Sequence, residues 1–307
     1  MFTKDSRILN HRLIVPLTSV SNAVGDVFKP KTSLFDRIIP SLFANNEQGF
    51  VYDQNDLSTM YQDSVGTVPV TAVGQPVGLV LDKSKGMVVG DELVVDGDFS
   101  SQSNWSVTGS WSIDGGFAVG SNIAANNIFQ TIPTEIGKMY VVSGDVLTIT
   151  SGSIRLLGDR TNIPILSVTV PSQLKYVVIA KSQSMDIGFR AVGGFTGTVD
   201  NVSVKELLGN HAYQATSSMR PLLVASPQRL DFDTVDDELI TNLSAQLTGC
   251  TVIRSVPNVG TQILTGRTIP TTYNDNTDHC GLIVINRALT PAETSVITTE
   301  FNKRAGV

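Results

Sequence analysis

The chain has 307 residues, enough for two ordinary domains with proper cores, and a net charge of −6 without any basic block. Hydrophobic residues make up 41% and charged residues 16%, with 26 Gly and 13 Pro, a globular and turn-rich balance that excludes a disordered chain. Nothing here steers the chain toward nucleic acid or anionic lipid, and apolar runs such as GLIVI (281–285) are strand-sized, too short to insert across a membrane.

The opening MFTKDSRILNHRLIVPL has scattered charges and no apolar core of signal-peptide length, so no export signal is expected. Residues 1–48 show weak periodicity. SLFDRIIPSLF (33–43) sets Leu34 with Ile38 and Phe35 with Ile39 at helical spacing, and Pro40 is expected to cut the pattern short. The segment reads as an extended or partly helical arm. It gains its core either on a neighbouring subunit or as a packed extension of its own sandwich.

From Gly49 the pattern changes. Phe50 and Tyr52, then Val68 and Val70, alternate with polar residues, and Asn55-Asp56, Gly66, Gly74 and Gln75-Pro76 punctuate the text. Between 87 and 208 short candidate strands come in quick succession, among them FAVG, IFQTI, MYVVSGDVLTI, ILSVTV, KYVVIA and GTVDNVSVKEL. Gly, Asn, Asp and Ser separate nearly all of them, which predicts an all-β sandwich or jelly roll. Near the end, Thr290-Pro291-Ala292-Glu293 supplies an N-cap hydroxyl, a Pro at the first helical position and an acid in the first turn. Val296, Ile297 and Phe301 follow as an apolar stripe, and Lys303-Arg304 complement the carbonyl end before Gly306. A short C-terminal helix is predicted.

The residues offer little for catalysis. The three histidines are His11, His211 and His279, and no HExxH, CxxC or Gly-x-Ser-x-Gly pattern occurs. His279 and Cys280 are sequence neighbours, which a strand points to opposite faces. They read as a strand-edge polar residue and a buried thiol. Cys250 and Cys280 are expected to stay reduced. DTVDDEL (233–239) gathers carboxylates that could serve glycoside hydrolysis, or form a solvent-facing turn.

Two parts of the chain carry a resemblance. Residues 44–86, continued by 209–307, resemble the concanavalin-like, laminin-G-type sandwiches of bacteriophage tail and other virion proteins. The likeness rests on FANNEQGFVYDQNDLSTMYQDSVGTVPV, GNHAYQATSSMRPLL, LDFDTVDDELI and CGLIVINRALTPAETSVITTEFNKRAGV. The stretch ELVVDGDFSSQSNWSVTGSWSIDGG (92–116), with GKMYVVSGDV and GTVDNVSVKEL, resembles carbohydrate-binding-module jelly rolls. The organisation implied is all-β: an arm over 1–48, a lectin-like sandwich over 49–86 plus 209–307, and an inserted jelly roll over 87–208.

The resemblance also implies sites. Sugar-binding members stack aromatic rings on pyranose faces, which makes Trp105 and Trp111 the candidates here, against the alternative that both indoles are core residues. Such jelly rolls often hold a structural calcium with acids near their first and last strands, and Asp96, Asp98 and Asp200 occupy the matching regions. Ser100 stands where the family usually has a further acid, and Asp beside Gly also caps turns. No cofactor is required. The function implied is that of a non-enzymatic virion protein, associated with tail or baseplate and adhering to host-surface glycans. A capsid decoration or head-fibre role is the alternative. Other virion proteins and further copies of the chain are the expected partners, with assembly in the host cytoplasm, no nucleic acid and no membrane insertion.

Overall fold

A helix, α1 (Leu34–Leu42), runs straight through Pro40 instead of stopping before it. The computed structural model describes residues 34–158 and 167–307, so the rest of the expected arm, residues 1–33, lies outside the described residues. A proline inside a helix costs about 3 kcal/mol. Four side chains that follow α1 into the interior, Phe35, Ile39, Leu42 and Phe43, are buried, at roughly 1.5–3 kcal/mol each. Burial wins. Of the two expectations for the arm, these residues follow the second: they pack on the body of their own chain instead of on a neighbouring subunit.

Three short strands follow, β1 (Gly49–Tyr52), β2 (Met60–Tyr61) and β3 (Leu79–Val80). The chain then makes a long excursion through β4 (Val89–Glu92), β5 (Ser106–Val107), β6 (Trp111–Asp114), β7 (Phe117–Ile123) and β8 (Asn127–Pro133). The excursion ends with β9 (Met139–Gly158), β10 (Ser172–Ile179) and β11 (Ser184–Leu207). On its return come β12 (Ala212–Tyr213), β13 (Leu222–Val224), β14 (Arg229–Asp231) and β15 (Leu239–Asn242). Then follow β16 (Leu247–Val256), β17 (Gly260–Ile269), β18 (Thr272–Asp275), β19 (Leu282–Ile285) and the helix α2 (Pro291–Ala305).

The pairings show how the outer body closes. One sheet has the order β1-β19-β16-β17 and another β18-β15-β12-β3-β2. Phe50 stands opposite Val284, and Val80 opposite Ala212. Both sheets therefore join strands laid down before the excursion to strands laid down after it. Phe50, Tyr52, Val80, Ala212, Leu239, Val252, Leu282 and Val284 share a core. Val51, Ile253, Ile283 and Ile285 point the other way and are covered by Phe35, Ile297 and Phe301 of the helices. A sheet covered on both faces needs no polar alternation, which explains the unbroken apolar run of β19.

α2 has the predicted ends. Thr290 caps it in a reciprocal capping box with Glu293, and Gly306 closes it at φ 83°. Arg304 departs from expectation. It is buried and pairs with Asp53, instead of facing solvent as a dipole complement.

Strands β4–β11 form one hydrogen-bonded set of their own. β9 and β11 are long and bend together, with register shifts between Val192 and Gly197. At the bend Gly152 has φ +70°, and a Cβ there would sit 2.5 Å from the Phe195 nitrogen. Beyond the bend the two strands fold back as a second layer with β8. Val142, Val199 and Val204 of one layer meet Leu156, Ile187 and Phe189 of the other in a single core. The first and last strands pair, Glu92 opposite Lys205 and Val89 opposite Leu207, so the excursion leaves and returns at one place.

Candidate functional site

The indoles are core groups. Trp105 and Trp111 are 6% and 5% exposed. Trp105 donates Nε1–H to the Asp96 carbonyl at 2.9 Å and lies 4.4 Å from the Phe99 ring. Trp111 donates to the Asn126 carbonyl at 3.1 Å and lies 5.5 Å from Phe195. A pyranose needs an open ring face, and neither indole offers one. The sugar platform expected at these residues is corrected.

The calcium expectation meets a similar outcome. Asp96, Asp98 and Asp200 are not among the groups whose carboxylate oxygens gather within 4.8 Å of one another. Asp96 accepts from the Asn104 amide and from Ser100 Oγ. Asp98 accepts from the side chain and backbone of Ser100, which hold its carboxyl below the usual range. Burial raises Asp200, and Asp145 and Asp98 add to that. Ser100, standing where the resemblance would have an acid, serves as donor to two of the three. These are turn interactions.

Two other carboxylate groups do converge. Asp36, Asp53 and Asp56 surround the Lys83 ammonium, with Asp53 and Asp56 each 3.0 Å away and Asp36 in close contact. Burial works against the Lys83 charge, but the carboxylates outweigh it and hold the ammonium above its ordinary range. Lysine occupies the place a cation would take, and the cluster ties α1 to the segments after β1 and β3. Asp233, Asp236 and Asp237 form the second group. Asp233 Oδ1 accepts from the backbone of Val235, Asp236 and Asp237 at 2.9, 3.2 and 3.2 Å, the solvent-facing turn of the sequence reading.

The most elaborate construction lies where the two bodies join. Asp82, fully buried, accepts from Val51 N, Ser84 N and Asn210 N at 2.8 Å each and from Ser84 Oγ at 2.7 Å. Its own N–H donates to His211 Nδ1 at 2.9 Å, and His211 Nε2–H donates to the Leu207 carbonyl at 3.0 Å. Burial pushes Asp82 up to about 6 against the pull of those backbone donors, and lowers His211 to about 4. The imidazole is a neutral strut with a fixed tautomer. Leu208 N donates to the Val88 carbonyl at 3.0 Å alongside it.

Above this neck, Leu79 and Leu81 of the outer body pack with Met139, Val141, Val177 and Leu207 of the excursion. Val177 N also donates to the Val65 carbonyl at 2.7 Å. Beside the seam opens a recess of about 300 Å³ whose walls include Ser64, Val65, Ile136, Lys181, Tyr213 and Asn242. Asn242 Nδ2 donates to the Tyr213 hydroxyl at 3.1 Å. No family model and no curated protein matches this chain. The recess therefore rests on its own chemistry: an amide, a phenol, a hydroxyl and an ammonium beside apolar walls, a mixture suited to a small polar ligand with one apolar face. None of its residues is a sequence-stretch neighbour of Trp105 or Trp111. His211 marks the place where the chain returns, but no local signal in the sequence joins Ile136 to Asn242.

Proposed function

We propose that this chain is a non-enzymatic structural protein of a bacteriophage virion, associated with tail or baseplate, that presents its jelly-roll-like excursion to the host surface. The observation that carries the reading is the junction. Two crossing segments, a buried strut and an apolar seam attach the excursion to the outer body. The bend of β9 and β11 then falls at the far end, roughly 30 Å away for ten extended residues. The outer, laminin-G-like body is the anchored part, and further copies on a particle multiply a weak single-site affinity. The buried state of His211, His279, Cys250 and Cys280 supports a role without acid–base or thiol chemistry. The two cysteines are unpaired, compatible with folding in a host cytoplasm. Among the described residues no helix is long and apolar enough to cross a membrane.

With the indoles buried, the recess beside the junction, walled by both bodies, is the candidate place for a host glycan, so the face presented to the host includes the neck as well as the excursion. Glycan-array and host-cell binding by the full-length protein tests this. Asn242→Ala should abolish binding while leaving the fold intact, and equal binding by both proteins would remove the recess from consideration.

The burial of Trp105 and Trp111 favours a second reading, a capsid decoration or head-fibre protein with a purely structural role. Labelled-particle microscopy separates the two: label on the tail supports adhesion, and label on the head supports decoration.

A further inference from the structure

The outer body carries polar groups where apolar ones are the rule. Strand register sets Tyr52, Leu282 and Arg254 in one row across the sheet. Strand alternation sends Phe50, Tyr52, Val252, Leu282 and Val284 into the space between the two sheets. Arg254 follows Val252 by two residues on β16 and so belongs to this inner face. Gln54 lies in the turn after β1, where its carbonyl accepts from Gln228 Nε2, and Leu230, two residues on, bridges His279. From β18 and the segment after it come Asp275 and His279. Gln54, Asp275 and His279 are each 0% exposed.

Some of their bonds are made. His279 Nε2 and Asp275 Oδ2 are 2.6 Å apart. Arg254 Nη2 donates to the Tyr273 hydroxyl at 2.8 Å and stands 3.5 Å from Asp275 Oδ1. The Tyr273 ring in turn packs 5.4 Å from Phe50. Five buried atoms have no hydrogen-bond partner in the protein: Gln54 Nε2 and Oε1, Arg254 Nε, Asp275 Oδ1 and His279 Nδ1. Native interiors pair such atoms with protein or with a bound molecule. Asp275 Oδ1 keeps only its ionic contact with Arg254, and the other four left bare would consume much of a domain's narrow stability margin.

The identity of the occupant follows from the donor and acceptor pattern. Asp275 Oδ1 and Gln54 Oε1 are acceptors, whereas Arg254 Nε and Gln54 Nε2 donate, and the role of His279 Nδ1 follows its tautomer. A metal ion would need acceptors alone, and an anion donors alone. The charges of Arg254 and Asp275 cancel, so no net field draws either ion in. Water both donates and accepts, and bridges buried polar groups of this kind.

We infer that a small cluster of ordered water molecules bridges Gln54, Arg254, Asp275 and His279 inside the outer sandwich, as a structural part of its core.

A high-resolution crystal structure of the full-length protein tests this, together with thermal melting of Gln54→Leu. Ordered water within hydrogen-bonding distance of His279 Nδ1 and Asp275 Oδ1 is expected. The nearly isosteric leucine should lower the melting temperature, because it strips the waters of partners. Density with metal-like coordination, or side chains closed on one another without solvent, would overturn the inference. So would a rise in melting temperature for Gln54→Leu, the response of a core freed from bare polar atoms.

Discussion

The backbone N–H of Asp82 donates to Nδ1 of His211 at 2.9 Å, across 129 residues of sequence. One residue belongs to the chain leaving the outer body and the other to the chain returning. The same imidazole holds the Leu207 carbonyl, so a single side chain pins both sides of the neck.

Replacing this strut should be costly in a pH-dependent way. His211→Phe leaves the Asp82 N–H and the Leu207 carbonyl buried without partners, about 2–5 kcal/mol of lost stability at pH 7 for two such groups. Folded His211 stays neutral down to about pH 4, against an ordinary value of 6.5. Between those values the unfolded state binds more protons, so this stabilisation is complete above 6.5 and drains away as pH falls toward 4. Asp82 slopes the other way. Raised from 3.8 to about 6, it favours the folded state as pH drops through that range. Denaturant titrations at several pH values should show the variant's deficit narrowing below pH 6.5, and its own stability rising from pH 6 downward. A deficit independent of pH would refute the neutral strut.

The tryptophans should behave as packing groups. Trp105→Ala and Trp111→Ala are each expected to destabilise by about 3–5 kcal/mol, read from chemical unfolding. Wild-type emission should be blue-shifted and unmoved by saccharides. A saccharide-dependent emission change that disappears in either variant would restore the sugar platform.

Lys83 should matter more than any surface lysine. Lys83→Met leaves Asp36, Asp53 and Asp56 without their shared ammonium, and breaking a buried ion pair on one side costs about 3–5 kcal/mol. Burial also shields the cluster from salt. The unfolding midpoint of the variant should fall at both low and high ionic strength, and a loss seen only at low salt would mean an exposed pair.

Gly97 reports on the closure of the excursion. A Cβ there would lie 2.1 Å from the Val202 carbonyl oxygen, where the first and last strands come together. Gly97→Ala should lower the melting temperature and loosen amide protection at Val202, whose N–H bonds the Gly97 carbonyl at 2.9 Å. Unchanged protection would show that the approach is not tight.

Local chemistry was the legible part of this sequence. Thr290, Glu293 and Gly306 announced α2 because helix ends are set by neighbours in the chain, and alternation announced strands such as β8, whereas β1 and β19, buried on both faces, carry no alternation. α1 was misjudged because the cost of Pro40 is local, whereas the burial of Phe35 and Ile39 that outweighs it comes from Ile283 and Phe301, far away. The same limit hid the site. The burial of Trp105 depends on Phe99 and the Asp96 carbonyl, and that of His279 on Asp275, and nothing in composition or spacing announces either. The recess joins Ile136 to Asn242, residues that meet only after two separate bodies have folded.

Native-state hydrogen exchange on the full chain bears on the nesting itself. Amides at Val51 and Leu81, laid down before the excursion, and at Ala212 and Ile283, laid down after it, are expected to open together at the free energy of global unfolding. An opening that releases residues 49–86 while residues 239–285 stay protected would mean that the outer body does not need both halves of the chain.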